Sequence, residues 1–211
     1  MSALDWNDRY ATRDTPWDTG VPDAHLVELV EGGELAPGRL LEVGCGTGTN
    51  ALWLAERGFE VTGLDVSPLA IEQARAKQAA AGVRANFLVH DILATPAPGG
   101  PYDLAFDRGV FHVFDEAADR ARFVERVSAA LRVGGRWFDL AGSTEGPERE
   151  TGPPRRSAGD LVAAVEPHLA VDSLRSIVFS ADLPPTVLGW LLTARRRELP
   201  PQPSTRRDAA G

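Results

Sequence analysis

The sequence predicts an α/β fold, doubly wound around a seven-stranded, mostly parallel sheet whose last strand is antiparallel. Three observations carry this. Apolar runs of strand length alternate with helical segments from residue 39 onward, the mark of repeated strand, helix, strand units. In "LLEVGCGTGTN", glycines stand at 44, 46 and 48, straight after the first such run. Two later apolar runs, in "HLAVDSLRSIVF" and "VLGWLLTARRRE", are too close in sequence for a crossover helix and are expected to pair antiparallel.

The elements follow in order. "RLLEVG" is the first strand, and a helix over 50–57 is stopped by Gly58. "FEVTGLD" is the second strand. The next helix has Ser67 at its N-cap, Pro68 at its first position and Gly82 at its end. "ANFLVHD" and "PYDLAFDRG" are the third and fourth strands. A helix over 116–131 sets Phe123, Val127 and Leu131 at four-residue spacing on one face, which should lie on the sheet. "RVGG" reads as a turn into the fifth strand, "RWFDLAGS". The stretch "TEGPERETGPPRR" is polar, Gly- and Pro-rich and aperiodic, hence a mobile loop. A helix starting near Ser157 precedes the last two strands. The expected organisation is an N-terminal aromatic lid and helix over 1–38, the main domain over 39–199 and a disordered tail over 200–211. No internal repeat is present.

Composition narrows the function. The chain has 211 residues, 43% of them hydrophobic, enough for one substantial core. With 22 Lys and Arg against 30 Asp and Glu, the net charge of -8 argues against a nucleic-acid partner, whose phosphates demand cationic surface. No apolar run approaches the ~18–20 residues that span a bilayer. "MSALDWNDRY" lacks the layout of a signal peptide, so no membrane partner and a cytoplasmic location are expected. Cys45 is the sole cysteine and forms no intrachain disulfide. No His, Cys or acid cluster has metal-ligand spacing. Oligomeric state leaves no mark in the sequence.

Glycines at 44, 46 and 48 let the chain turn sharply and approach a ligand closely, while the helix that follows presents unpaired N–H groups. Asp65, ending the second strand beside that turn, is placed to accept both hydroxyl hydrogens of a ribose; its alternative role is to cap the helix, which Ser67 already does. A dinucleotide fingerprint wants its third glycine three positions after the second, whereas here it comes two positions after, at 48. Preceded by Glu42, "EVGCGTG" followed by "GLDVSPLAIEQAR" resembles instead the cofactor half of class I S-adenosylmethionine-dependent methyltransferases, over residues 39–140. The resemblance implies a Rossmann-like methyltransferase fold and S-adenosyl-L-methionine as cofactor. It implies that Glu42 and the glycine turn hold the amino-acid end, and that Asp65 with Val66 holds the ribose. "HDIL" matches the adenine contact, which brings in Asp91 and Ile92; Asp91 serves equally well as a turn anchor.

The segment before the first strand, "DWNDRYATRDTPWDTGVPDAHLVELV", clusters Trp6, Tyr10 and Trp17. These rings either pack an N-terminal helix on the sheet or form a lid whose faces attract a cationic sulfonium. "TPWDTG" together with "DRG" at 107–109 resembles the thiopurine methyltransferases and their halide and thiol relatives. That resemblance implies that Trp6, Tyr10 and Trp17 cover the cofactor and that Arg108 stands between cofactor and substrate. The expected acceptor is a small molecule: a thiol, halide, thiopurine or phenolic or heteroaromatic nucleophile. His112 and Asp107 are the candidate catalytic residues. His112 follows Arg108 by four residues, sharing a face if the chain turns helical there, and is either a general base or a core histidine. Two other classes stay open: a nicotinamide-dependent oxidoreductase, and a non-catalytic cofactor-binding protein.

Overall fold

The computed structural model describes residues 3–145, 148, 152–179 and 187–198. Two helices, α1 (Ala3–Thr12) and α2 (Ala24–Glu31), precede the first strand. There follow β1 (Arg39–Val43), α3 (Thr49–Glu56), β2 (Glu60–Asp65), α4 (Pro68–Ala81), β3 (Asn86–Val89) and β4 (Tyr102–Arg108). After a 3-10 turn over Phe111–Val113 come α5 (Ala117–Ala130), β5 (Leu131–Gly142), α6 (Ala158–Val165), β6 (Leu169–Val178) and β7 (Leu188–Arg196).

The seven strands form one sheet in the order β3-β2-β1-β4-β5-β7-β6. Pairings from β3 through β5 are parallel, and β7 runs antiparallel to both neighbours. The strand order reverses between β1 and β4, which leaves a crevice beyond their C-terminal ends where such sheets bind ligands. Side chains of β1 alternate between two apolar clusters, Leu41 and Val43 in one and Leu40 in the other. The first cluster takes in α5 and α6, the second α2, α3 and α4, so helices cover both faces.

Local signals in the sequence explain the helix ends. Ser67 Oγ accepts from Ala70 N at 3.2 Å, and Gly82 closes α4 with φ 72. Ser157 and Asp160 form a reciprocal capping box at the start of α6. Phe123 and Val127 are fully buried on α5, whereas Leu131, also buried, already belongs to β5. The "RVGG" stretch is a bulge within β5 rather than a turn before it. Tyr102 pairs with Leu131 and Leu104 with Arg136, so two residues of β4 face five of β5, and Gly134 takes φ 74 to absorb the excess. The far end of the expected mobile loop is tied down, since Arg156 bridges Ser143; most of its middle and the expected tail over 200–211 lie outside the described residues. No helix among the described residues is long and apolar enough to cross a membrane.

Candidate active site

β1 delivers the chain into the glycine turn at the crevice. Gly44, Gly46 and Gly48 all have positive φ (65, 53 and 79), a region that side-chain-bearing residues rarely adopt. Each has a further, separate reason to lack a β-carbon. At Gly44 it would sit 2.2 Å from Val110 Cγ2, at Gly46 2.9 Å from the Tyr10 hydroxyl, and at Gly48 2.8 Å from Phe87 Cζ. Gly48 therefore serves helix and strand packing, while Gly44 and Gly46 face a cleft of about 250 Å³.

Tyr10, Trp17, Glu42, Gly44, Gly46 and Arg108, all expected at the site, line this cleft. Glu42 is 2% exposed; Asn50 Nδ2 donates to its Oε1 at 3.3 Å, and Oε2 has no hydrogen-bond partner among the described residues. Burial pushes its carboxyl up to about 8, against the smaller opposing effect of Asn50. Arg108, the last residue of β4, donates through Nε to Asp23 Oδ2 at 2.6 Å, and its guanidinium lies 5.0 Å from the Phe179 ring centroid. The cleft thus holds an acid with an oxygen to offer and a guanidinium, beside exposed turn backbone.

The N-terminal segment is folded onto the turn. Trp17 Nε1 donates to the Tyr10 hydroxyl at 3.2 Å, and Trp6 meets Trp17 edge-on with centroids 5.4 Å apart. Arg9 stacks over Trp17 at 4.2 Å, so that ring already has an internal cation partner. Trp6 itself does not line the cleft. Asn7 Oδ1 accepts from Ser67 Oγ and Leu69 N, which sets α1 over the start of α4. Thr47 Oγ1 donates to Asp18 Oδ2 at 2.8 Å, and Lys77 reaches both Asp18 and Thr49, closing a strap across the turn.

Asp65 stands beside the turn but is 8% exposed and outside the cleft lining. Its Oδ2 accepts from Gly46 N and its Oδ1 from Ser67 N, each at 2.9 Å. Burial raises its carboxyl above the usual range, and these N–H groups pull the other way. Val66 adjoins it, likewise outside the cleft. Asp91 is exposed and accepts from Leu93 N at 2.9 Å, the geometry of a turn anchor, while Ile92 is 5% exposed in the core.

The two candidate catalytic residues lie deeper than the cleft lining. His112 does not share a helical face with Arg108, because Gly109 (φ 83) separates the strand end from the 3-10 turn. Its Nδ1 accepts from Gly142 N at 2.8 Å, which places the ring proton on Nε2. It is 5% exposed, packs against Phe179 at 5.9 Å and does not line the cleft. Asp107 is wholly buried, its oxygens engaged by Val110 N, Phe111 N and Trp137 Nε1, so it faces the protein rather than a substrate.

Asn50, Asp18 and Asp23 were not singled out by sequence, although all three line the cleft. Asn50 offered a signal, a polar residue in the first turn of the helix behind the glycines. Asp23 offered another, as an N-cap before an apolar helix, with Oδ1 accepting from His25 N.

A family model described as a methyltransferase domain matches residues 40–135. The probable thiol methyltransferase 2 of Arabidopsis thaliana is 34% identical over 151 residues, 71% of this chain and 65% of its own length. The chain spans less than two thirds of the length of the curated relatives it matches. Among solved structures, one from work on conversion of a disulfide bond into a thioacetal group during echinomycin biosynthesis is 32% identical. It superposes with a TM-score of 0.75 over 86% of this chain and 85% of its own. The Burkholderia thailandensis 1,6-didemethyltoxoflavin-N1-methyltransferase, solved with S-adenosylhomocysteine, shares the fold (TM-score 0.74 over 93% of this chain and 87% of its own) at 18% identity. With its crevice, its glycine turn and these matches, the chain belongs to the class I S-adenosylmethionine-dependent methyltransferases and resembles the thiol methyltransferases among them.

Proposed function

We propose that this chain transfers a methyl group from S-adenosyl-L-methionine to a small-molecule nucleophile, with a thiol as the first acceptor to test ahead of halides, thiopurines and phenolic or heteroaromatic compounds. The observation that carries the reading is the charge pattern of the cleft. Glu42 offers a buried carboxyl held by Asn50 and the Ala51 backbone, and Arg108, paired with Asp23, presents its guanidinium, both lining the cleft with the backbone of the glycine turn. An α-amino acid end carries the complementary ammonium and carboxylate. Gly44 and Gly46 admit its close approach, and Asp65 at the turn's flank is the ribose acceptor in this reading. Val66, Asp91 and Ile92 continue along the edge where the nucleoside extends.

Bound there, the cofactor supplies a methyl carbon already activated by positively charged sulfur. The chain's own task is alignment and exclusion of water. Tyr10, Trp17 and the strap from Asp18 to Asp23 wall the cleft on one side, and Arg108 at the end of β4 walls it on another. A thiol that ionises near neutral pH needs no base, which suits a cleft that no histidine lines and near which His112 has its Nδ1 lone pair engaged. A sulfur acceptor is also supported by the Arabidopsis relative and by the sulfur chemistry named for the 32%-identical structure. The small cleft and the acidic chain favour a small acceptor over nucleic acid.

The test is turnover of radiolabelled methyl donor against panels of thiols, halides, thiopurines and phenols. Labelled product from thiols at the highest kcat/KM supports the reading. No labelled product from any panel, with S-adenosylhomocysteine still binding, leaves a non-catalytic cofactor-binding protein instead.

A further inference from the structure

Asp107 and Asp139 are paired neighbours on β4 and β5, and both are wholly buried. Asp107 has three donors and one acceptor site left on Oδ1: Oδ2 accepts from Val110 N and Phe111 N, each at 3.2 Å, and Oδ1 from Trp137 Nε1 at 2.8 Å. Asp139 is the opposite case, for neither of its oxygens has an N–H or O–H donor among the described residues. Two carboxylates side by side in a dry core do not both ionise, because each loses its hydration and repels the other. The Asp107 carboxylate, with three donors, is the better anion. Asp139 then keeps a proton and donates it to Asp107, which gives both groups a partner. Burial, and then the charge of Asp107, hold Asp139 well above the usual carboxylate range. Glu42 on β1 also bears on the pair, its carboxyl being raised in part by Asp107.

What the pair holds is the turn that follows β4. Its two N–H donors belong to Val110 and Phe111, and Val110 is the residue whose Cγ2 fills the space above Gly44. Arg108, which lines the cleft, lies between the anchored Asp107 and that turn.

We propose that Asp107 and Asp139 share one proton and act as a positioning pair, fixing the turn at 109–113 so that Val110 and Arg108 keep register with the glycine turn. The pair touches no reacting atom. Its role in binding rests on the reading that the cleft takes the cofactor, whereas the shared proton is independent of that reading.

Carboxyl carbon NMR of aspartate-labelled protein at pH 7 tests the proton directly. One protonated aspartate is expected in the wild type and none in Asp139→Asn; a wild-type spectrum with every aspartate ionised overturns the proposal. Calorimetry with S-adenosylhomocysteine, well below each variant's Tm, tests positioning. Asp139→Asn keeps an N–H for Asp107 and should bind within about threefold of wild type, while Asp139→Ala, which removes the donor, should bind at least about tenfold more weakly. Equal affinity for folded Asp139→Ala and wild type overturns positioning. Should that variant not fold, Asp107→Asn replaces it, since its amide turns a donor toward an N–H now bound, and undiminished affinity there overturns positioning too. Wild type that binds no S-adenosylhomocysteine yet shows the protonated aspartate rejects the cofactor reading and leaves the pair standing.

Discussion

Asn50 Nδ2 donates to Glu42 Oε1 at 3.3 Å and, with the Ala51 backbone, holds a buried carboxyl behind the lining of the cleft. A buried acid in this position holds its proton until a cation arrives. The folded carboxyl titrates at about 8, above its range in the unfolded chain, so the folded state binds more protons between the two values. The stability this contributes is complete below the unfolded value, about pH 4.5, and is lost as pH rises to 8.

Glu42→Gln should accordingly flatten the fall in Tm of the free protein between about pH 5 and 8, measured by calorimetry across that range. Binding of an ammonium should drive the proton off Glu42. Titration with S-adenosylhomocysteine at pH 7 in buffers of different ionisation enthalpy is expected to show proton release, absent in Glu42→Gln, whose affinity should drop by about ten- to a hundredfold. An enthalpy independent of buffer would count against the assignment.

Asp65→Ala removes the acceptor of Gly46 N and Ser67 N as well as the proposed ribose contact. Two orphaned N–H groups cost about 1–3 kcal/mol each if they stay dry. The variant should lose stability, by a shift in denaturant midpoint, and lose about ten- to a hundredfold in affinity for S-adenosylhomocysteine. A loss of stability with unchanged affinity would confine Asp65 to shaping the turn.

The strap predicts a difference between two kinds of contact. Asp18 meets Thr47 and Lys77 at the surface, where charge pairs contribute little, whereas Asp23 meets Arg108 with 2% of its side chain exposed. Asp18→Ala should speed proteolysis between residues 5 and 21 several-fold with little change in Tm, and S-adenosylhomocysteine should restore protection. Asp23→Ala should lower Tm itself, because it removes the carboxylate paired with the Arg108 guanidinium and uncaps α2. Cleavage at equal rates in wild type and Asp18→Ala, with or without ligand, would remove the lid from the account.

Much of this was legible because the signals are local. Ser67, Gly82 and Ser157 mark helix ends through bonds made within three or four residues, and glycines 44, 46 and 48 mark a turn through φ alone. What escaped depends on contacts far apart in sequence. His112 stays open between base and core in the sequence because periodicity cannot show Gly142 N donating to its ring from 30 residues away. Asp139 drew no attention because its only partner, Asp107, is set beside it by strand register. The bulge at 131–136 was hidden because "RVGG" has the composition of a turn whether or not the ladder continues through it.

His112 yields the last prediction. With Gly142 N on Nδ1 and the proton on Nε2, the ring cannot accept a proton from a substrate at Nε2 without first being rearranged. His112→Gln keeps an oxygen that can accept the Gly142 N–H, whereas His112→Ala leaves that buried donor unmatched and opens a void beside Phe179. Both variants should therefore be ordered by stability, Ala below Gln below wild type, with Ala losing roughly 2–4 kcal/mol. Turnover per folded molecule should change by less than about threefold in His112→Gln on thiol and phenol acceptors alike, since general-base catalysis would cost ~10²–10⁴ on the oxygen nucleophile alone. A selective collapse of phenol turnover in His112→Gln, at unchanged Tm, would restore the histidine as the base.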